Sequence, residues 1–242
     1  MGTELEVRIA YLLQEIFLTI KRRRNSGCDR LSVQRNARRL FWVVVAAIVL
    51  YVVLDAIAQS LPPHYSPIKD VESDLAVGPY GWVMVINFLN RGALSLVFLY
   101  ALAETARSNG ELGRSFRIGI YTFGVWAVGA IILAFFPTDV PATPISWHGA
   151  IHLVVAILAF FGGAFGALII SLRLRKNEAV QKVGRPALLI AIVSVILLFV
   201  ASATLTGPVG GLTERLFLGS VLLWEAIVSL YLGKRTPGPA PA

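Results

Sequence analysis

Two histidines, His148 and His152, stand four residues apart at the start of a long apolar run. Four residues is just over one helical turn, so both imidazoles fall on one helix face. Two imidazoles in that arrangement can hold zinc or another transition metal if a third ligand arrives from elsewhere. Asp55, Asp139 and His64 are the candidates, with His148, His152 and Asp55 forming the nominal metal set. A catalytic site of this kind would keep a water at an open position with a carboxylate beside it. No glutamate follows His148, so the metalloprotease pattern HExxH is absent. A divalent transition metal is the one cofactor the residues suggest, and none is assured. The other reading makes the histidines hydrogen-bonding groups that hold loops together or meet a lipid headgroup.

A second set of polar residues lies deep in apolar sequence. Asn87, Arg91 and Ser95 repeat every four residues, with Asn90 beside them, and Asp55 and Glu225 sit in other apolar runs. Intramembrane ionisable groups are costly and mark functional candidates. Counted from the expected helix ends, Arg91 lies about 16 Å and Glu225 about 17 Å deep. That match predicts a buried Arg91–Glu225 contact, direct or through one water. It serves either as a packing element or as a binding or proton site.

The elements that must position these residues follow from hydropathy. The 242 residues are 56% hydrophobic and 15% charged, with mean hydropathy +0.71. Apolar runs long enough to cross a bilayer core of about 30 Å recur along the chain. They predict an all-α polytopic membrane protein, a six-helix transmembrane bundle with spans at 40–59, 80–103, 118–136, 147–172, 186–205 and 214–233. The expected organisation is 1–39 as an amphipathic interfacial helix and basic arm, 40–233 as the transmembrane domain, and 234–242 as a disordered tail. Residues 1–20 place Leu5, Ile9, Leu12, Ile16 and Ile20 at helical spacing, the pattern of a helix lying on a membrane surface.

Of the 22 Lys and Arg residues, all but Lys69, Arg91 and Arg215 collect on one side of the predicted spans. The positive-inside rule then puts both termini in the cytoplasm of a multi-pass protein of the cell (inner) membrane. The excess of eight positive charges reads as topology signal and attraction to anionic lipid. Aromatic residues do not interleave the charges, so nucleic acid is not expected as a partner. Membrane lipids are, and other membrane subunits are a further candidate. The one cysteine, Cys28, excludes an internal disulfide. No intramembrane lysine is placed for a retinal Schiff base. Three histidines cannot supply four haem ligands. Walker, Rossmann and GxSxG signatures are missing.

Three stretches together carry a resemblance. They are Tyr65–Asp70 with Glu72–Leu75 and Gly78–Trp82, then Phe136–Asp139 leading to Trp147–His152, then Gly211–Arg215 opening the last span. The pattern resembles the prokaryotic six-helix membrane family known as domain of unknown function 998, over residues 40–233. The resemblance implies a fold and a topology, and no reaction. It groups Asp70, Ser73, Asp74, Asp139, His148, His152, Glu214 and Arg215 into one outward-facing cluster. The link 61–79 is expected to fold over the outer mouth and bring Asp70 or Asp74 to the HGxxH turn and to Glu214 and Arg215. The favoured function is non-catalytic: an accessory subunit of a membrane complex, or a binder of lipid or a small ligand through that His/acid cluster. The alternative is a metal-assisted hydrolase acting on lipid-like substrates at the outer leaflet.

Overall fold

The computed structural model describes residues 27–108, 112–139, 143–177 and 180–234. The expected amphipathic segment 1–20 and the tail beyond Lys234 lie outside the described residues. Among the described residues the regular structure is entirely helical. It comprises α1 (Gly27–Ser60), α2 (Gly81–Ser108), α3 (Arg114–Leu133), α4 (Trp147–Lys176), α5 (Gln181–Thr204) and α6 (Gly210–Lys234), with a short 3-10 turn at Glu72–Ala76. All six helices are long and apolar enough to cross a membrane. The protein is an integral multi-pass membrane protein.

Each helix packs on its neighbour in sequence, and α6 closes against α1, so the six form a ring. The end where α1, α3 and α5 finish and α2, α4 and α6 begin is called here the lid end. The other, where α2, α4 and α6 finish, is the basic end.

Helix ends depart from the hydropathy limits in an informative way. α1 begins at Gly27, well inside the segment expected to be a cytoplasmic arm. Charge marks where a chain leaves the apolar layer, not where its hydrogen-bond ladder stops. Arg38, in this extension, donates from Nε to the Gly233 carbonyl at the end of α6 (3.2 Å). α6 begins at Gly210, four residues before the expected start.

Aromatic rings fill the centre. Trp224 meets Phe98 and Phe123 at centroid distances of 5.3 and 5.1 Å, and its indole N–H donates to Ser171 Oγ (2.7 Å). On the α3–α4 seam, a Cβ added at Gly162 would stand 2.8 Å from the Thr122 carbonyl oxygen, and one at Gly166 would stand 2.5 Å from the Phe123 nitrogen. Small residues there let two backbones touch, as small-xxx-small packing requires. A smaller apolar cluster at the lid end joins Leu75, from the 3-10 turn, to Ala58, Met84, Phe88 and Leu133. It anchors the first link to the bundle by burial as well as by polar contacts.

Candidate functional site

The link between α1 and α2 docks on the start of α6. A helix N-terminus leaves backbone N–H groups without intrahelical partners. Here the Gly211 and Leu212 amides donate to the Lys69 and Ile68 carbonyls, at 3.2 and 2.9 Å. Gly211 is required by the closeness of this approach, since a Cβ there would lie 2.1 Å from the Asp70 carbonyl oxygen. Arg215 clamps the same link. Its Nη1 donates to the carbonyls of Pro67 (3.1 Å) and Asp70 (3.0 Å), its Nη2 to the Tyr65 hydroxyl, and its guanidinium lies over the Tyr65 ring. The Tyr65 hydroxyl in turn donates toward the Asp70 and Val71 carbonyls, both at 2.8 Å. Burial holds this phenol above its ordinary pKa, which keeps it a donor. Asp70 closes the turn by accepting the Ser66 N–H (2.8 Å).

From this lid, Glu72 points down into the ring. Its backbone N–H donates to Glu214 Oε2 (2.6 Å). Its carboxylate accepts from the Tyr51 hydroxyl on α1 and from Arg91 Nη1 on α2 (3.4 Å). Glu72 and Arg91 are 3% and 1% exposed, so this is a fully buried ion pair. Burial raises the Glu72 carboxyl and the Arg91 charge opposes that rise. The Arg91 guanidinium is also placed over Trp126 and Phe88, 4.7 and 5.1 Å from the ring centroids, a cation–π arrangement.

The expected Arg91–Glu225 pair is therefore corrected: the partner of Arg91 is Glu72. The reason is register. With α6 starting at Gly210, Glu225 lies about 22 Å from the lid end, level with Ser95 at about 21 Å and a turn below Arg91 at about 15 Å. Both Glu225 carboxylate oxygens are buried with no hydrogen-bond partner among the described residues. The same holds for Arg91 Nε, Asn87 Oδ1, Ser95 Oγ, Trp126 Nε1 and Ser229 Oγ. The α2 stripe faces inward as its spacing predicts. Asn87 and Asn90 also use their amide N–H groups to hold the Tyr51 and Ala47 carbonyls of α1, at 3.2 and 2.9 Å.

The histidines belong to a separate construction. Ser146 caps α4, its Oγ accepting from the Gly149 N–H (3.1 Å). Asp139 holds Ser146 by both its N–H (2.9 Å) and its hydroxyl (2.6 Å). These two hydrogen bonds, from side chain and backbone, draw the Asp139 carboxyl below the usual range, with His148 and His152 adding to the effect. His152 Nδ1 meets the Phe136 carbonyl at 2.7 Å, tying α4 to the end of α3. His148 lies against the Trp147 and Phe136 rings.

The predicted outer cluster is thus divided. Asp70, Glu214 and Arg215 come together under the lid. Asp74 stands near Asp70 and Arg215, with burial and Asp70 raising its carboxyl to about 6. Asp139, His148 and His152 form the α3–α4 corner. The 3-10 turn of the link packs on α2 and α6; the HGxxH turn is met by Asp139 instead. Asp55 sits on the Arg215 side and accepts from Gln59. Among the described residues no group of three or more His, Cys, Asp or Glu side chains is placed to hold a metal ion. Tyr51 and Ser146 are the residues that sequence reasoning passed over, and Tyr65 and Glu72 entered it only within the family-resembling stretches, with no role assigned. Ser146 was readable as a cap, standing immediately before the helix.

A family model described as a protein of unknown function, DUF998, matches residues 45–231. The chain belongs to the DUF998 family. No curated protein and no solved structure matches it. The DUF998 match runs from α1 through most of α6. It takes in the lid, the Glu72–Arg91 pair, the Asp139 corner and Glu225.

Proposed function

We propose that this protein is a non-catalytic protein of the cell membrane whose polar interior, closed by the docked link, binds a small polar solute or ion. The Lys/Arg asymmetry supports placing both termini and the basic end in the cytoplasm, with the lid facing outward. One observation carries the binding reading. Most rim groups are engaged by Arg215, Ser146, Phe136 and the lid backbone, with Asp55 Oδ1 and Arg215 Nε left over, whereas six side chains deeper in the bundle keep buried polar atoms without partners among the described residues. Buried polar groups are normally hydrogen-bonded, so this set of unmet atoms supports reading the interior as prepared for a polar guest. The chamber would serve an accessory subunit and a free-standing protein alike, and a stably co-purifying membrane protein would identify the former.

Cysteine substitution tests the reading. In a Cys28→Ala background, a cysteine at Ser95 should react with a small methanethiosulfonate reagent. The reaction should accelerate when Gly211→Ala loosens the lid. No reaction in either background would mean a closed, packed core and would remove the proposal. The alternative, a metal-assisted hydrolase at the outer leaflet, predicts bound metal and headgroup release from phospholipid vesicles, both lost in His148→Ala/His152→Ala. Finding both would replace the binding reading.

A further inference from the structure

An apolar groove of about 620 Å³ runs along the outside of the bundle between α2 and α3. Leu96, Leu99 and Tyr100 line it on the α2 side, and Tyr121, Gly124 and Val125 on the α3 side. Tyr100 and Tyr121 are both exposed, so the groove opens toward the acyl layer. Gly124 gives it depth. A Cβ there would meet only Leu99 Cδ1, at 4.0 Å, whereas one at Gly119 would stand 2.8 Å from an Ile170 side-chain carbon and one at Gly129 2.6 Å from Ala159 Cβ. Close helix contact accounts for Gly119 and Gly129 and does not account for Gly124. A glycine inside a helix is a cost in stability, and here it leaves an open slot facing lipid.

The mouth of the groove at the basic end is cationic. Arg117 is one turn from Tyr121 and Arg114 one turn farther, so the three share a face of α3. Side chains on a helix lean toward its N-terminus, which for α3 is the basic end, so both guanidinium groups extend toward the headgroup layer. Both residues are exposed, and among the described residues neither side chain has an ion-pair partner. Their neighbours are engaged, Arg107 with Glu104 and Arg173 with Ser115. The link at the opposite end of α3, residues 134–146, holds Asp139 and no Lys or Arg. Charge therefore assigns the groove to the leaflet at the basic end. One leaflet of the hydrocarbon core is about 15 Å deep, and Gly124 lies about 15 Å along α3 from Arg114. A chain rooted at the two arginines thus runs the length of one leaflet and ends beside Gly124.

We infer that this groove is a binding site for an anionic phospholipid, with one acyl chain laid between α2 and α3 and the headgroup phosphate held by Arg114 and Arg117. A transmembrane helix fits the same groove poorly. Close helix approach in a membrane needs small residues along the contact, and these walls present Leu96, Tyr100, Tyr121 and Val125. Of the two glycines that line the groove, Gly129 is already spent on Ala159. The site lies on the outer face of the bundle and is independent of the interior chamber.

Native mass spectrometry of the full chain, released from membranes of mixed phosphatidylglycerol and phosphatidylcholine, tests this. The wild type should retain one phosphatidylglycerol in preference to phosphatidylcholine. Arg114→Gln/Arg117→Gln should lower that preference by about thirtyfold, the attraction of two basic residues for anionic lipid. Lys182→Gln/Arg185→Gln, the same loss of charge at the start of α5, should leave it unchanged. Gly124→Trp should empty the groove of either lipid. Val125→Trp, from a side chain that already lines the groove, should do the same and serves if the first variant fails to fold. Lipid retained at the wild-type level in a folded filler variant overturns the groove as the site. A preference unmoved by the Arg114/Arg117 variant, or lost equally in the α5 variant, overturns the headgroup assignment. A second copy or another membrane protein bound to the wild type and released by the filler would make a helix the occupant and overturn the lipid.

Discussion

Replacing Glu72 by leucine probes the contact on which the interior depends. At 3.4 Å and an effective dielectric of about 20, the Glu72–Arg91 attraction is ~5 kcal/mol. Desolvation of both groups opposes it, so the intact pair is worth far less than that. Removing one partner is a different matter. It leaves Arg91 buried and uncompensated, at a cost of ~3–5 kcal/mol. The Tyr51 hydroxyl loses its acceptor as well, for about 1–3 kcal/mol more if nothing replaces it. In a chain of this size 1 kcal/mol moves the unfolding midpoint by about 2–4 °C. Glu72→Leu should therefore lower the midpoint in detergent by roughly 6–20 °C from the ion pair alone. Arg91→Met should be destabilising in the same sense, and the double variant should recover much of the loss, because two apolar side chains need no partners. Tryptophan fluorescence is a suitable probe, since Trp126 lies under the Arg91 guanidinium. If the two single effects add to within about 0.5 kcal/mol, Glu72 and Arg91 are not coupled. A larger coupling of Arg91 to Glu225 would restore the pairing that depth counting first suggested.

Three further outcomes follow from the rim. Gly211→Ala places a methyl group where the Asp70 carbonyl oxygen stands 2.1 Å away, so the link should undock and a cysteine introduced at Ser66 should label faster. Asp74 carries a raised carboxyl, about 6 in the folded protein against an ordinary value near 3.8. The folded state thus binds the extra proton between those values, and the stability of the lid should fall as pH rises from about 4 to about 6; Asp74→Asn should reduce that slope in a pH series of unfolding midpoints, leaving the part that the buried Glu72 carboxyl contributes in the same direction. Asp139 is shifted the opposite way. Its contribution is present above the ordinary carboxylate value of about 3.9 and is lost as pH falls through its lower folded value. Ser146→Ala should cost about 1 kcal/mol as a lost helix cap, measured by the same unfolding assay, and should shrink that acid-side loss.

Much of this was readable from residue types alone. Twenty-residue apolar runs have few alternatives to spanning helices, and the four-residue repeat of Asn87, Arg91 and Ser95 could face only inward. What could not be read was a link residue turning back into the bundle. Glu72 sits in polar sequence, and nothing in its neighbours separates a solvated glutamate from one that inserts. The start of α6 was hidden for a related reason. Gly210 and Gly211 look like loop, yet they are helical because the lid carbonyls satisfy their end of the helix. Four residues of error there moved Glu225 by a full turn and gave Arg91 the wrong partner. The histidines were legible as a same-face pair. Their role at the α3–α4 corner depended on Ser146 and Asp139 together, a local capping arrangement that outcompetes any distant ligand.

Ring closure has a consequence for the order of assembly. Successive helices meet as they are made, but the α1–α6 seam joins the first span to the last. The surface that receives the lid, from Gly211 to Arg215, is also supplied by α6. A link synthesised early can seat Leu75 against the first three helices, but it has no helix start to dock on until the final helix has been inserted. Before that moment the glutamate side chain, the tyrosine hydroxyl and the arginine can find one another, while the carbonyls of residues 67–70 still lack their α6 donors. Arrival of α6 supplies the two amides and the guanidinium at once. A nascent chain halted before α6 would be left with an open mouth and an unfinished wall.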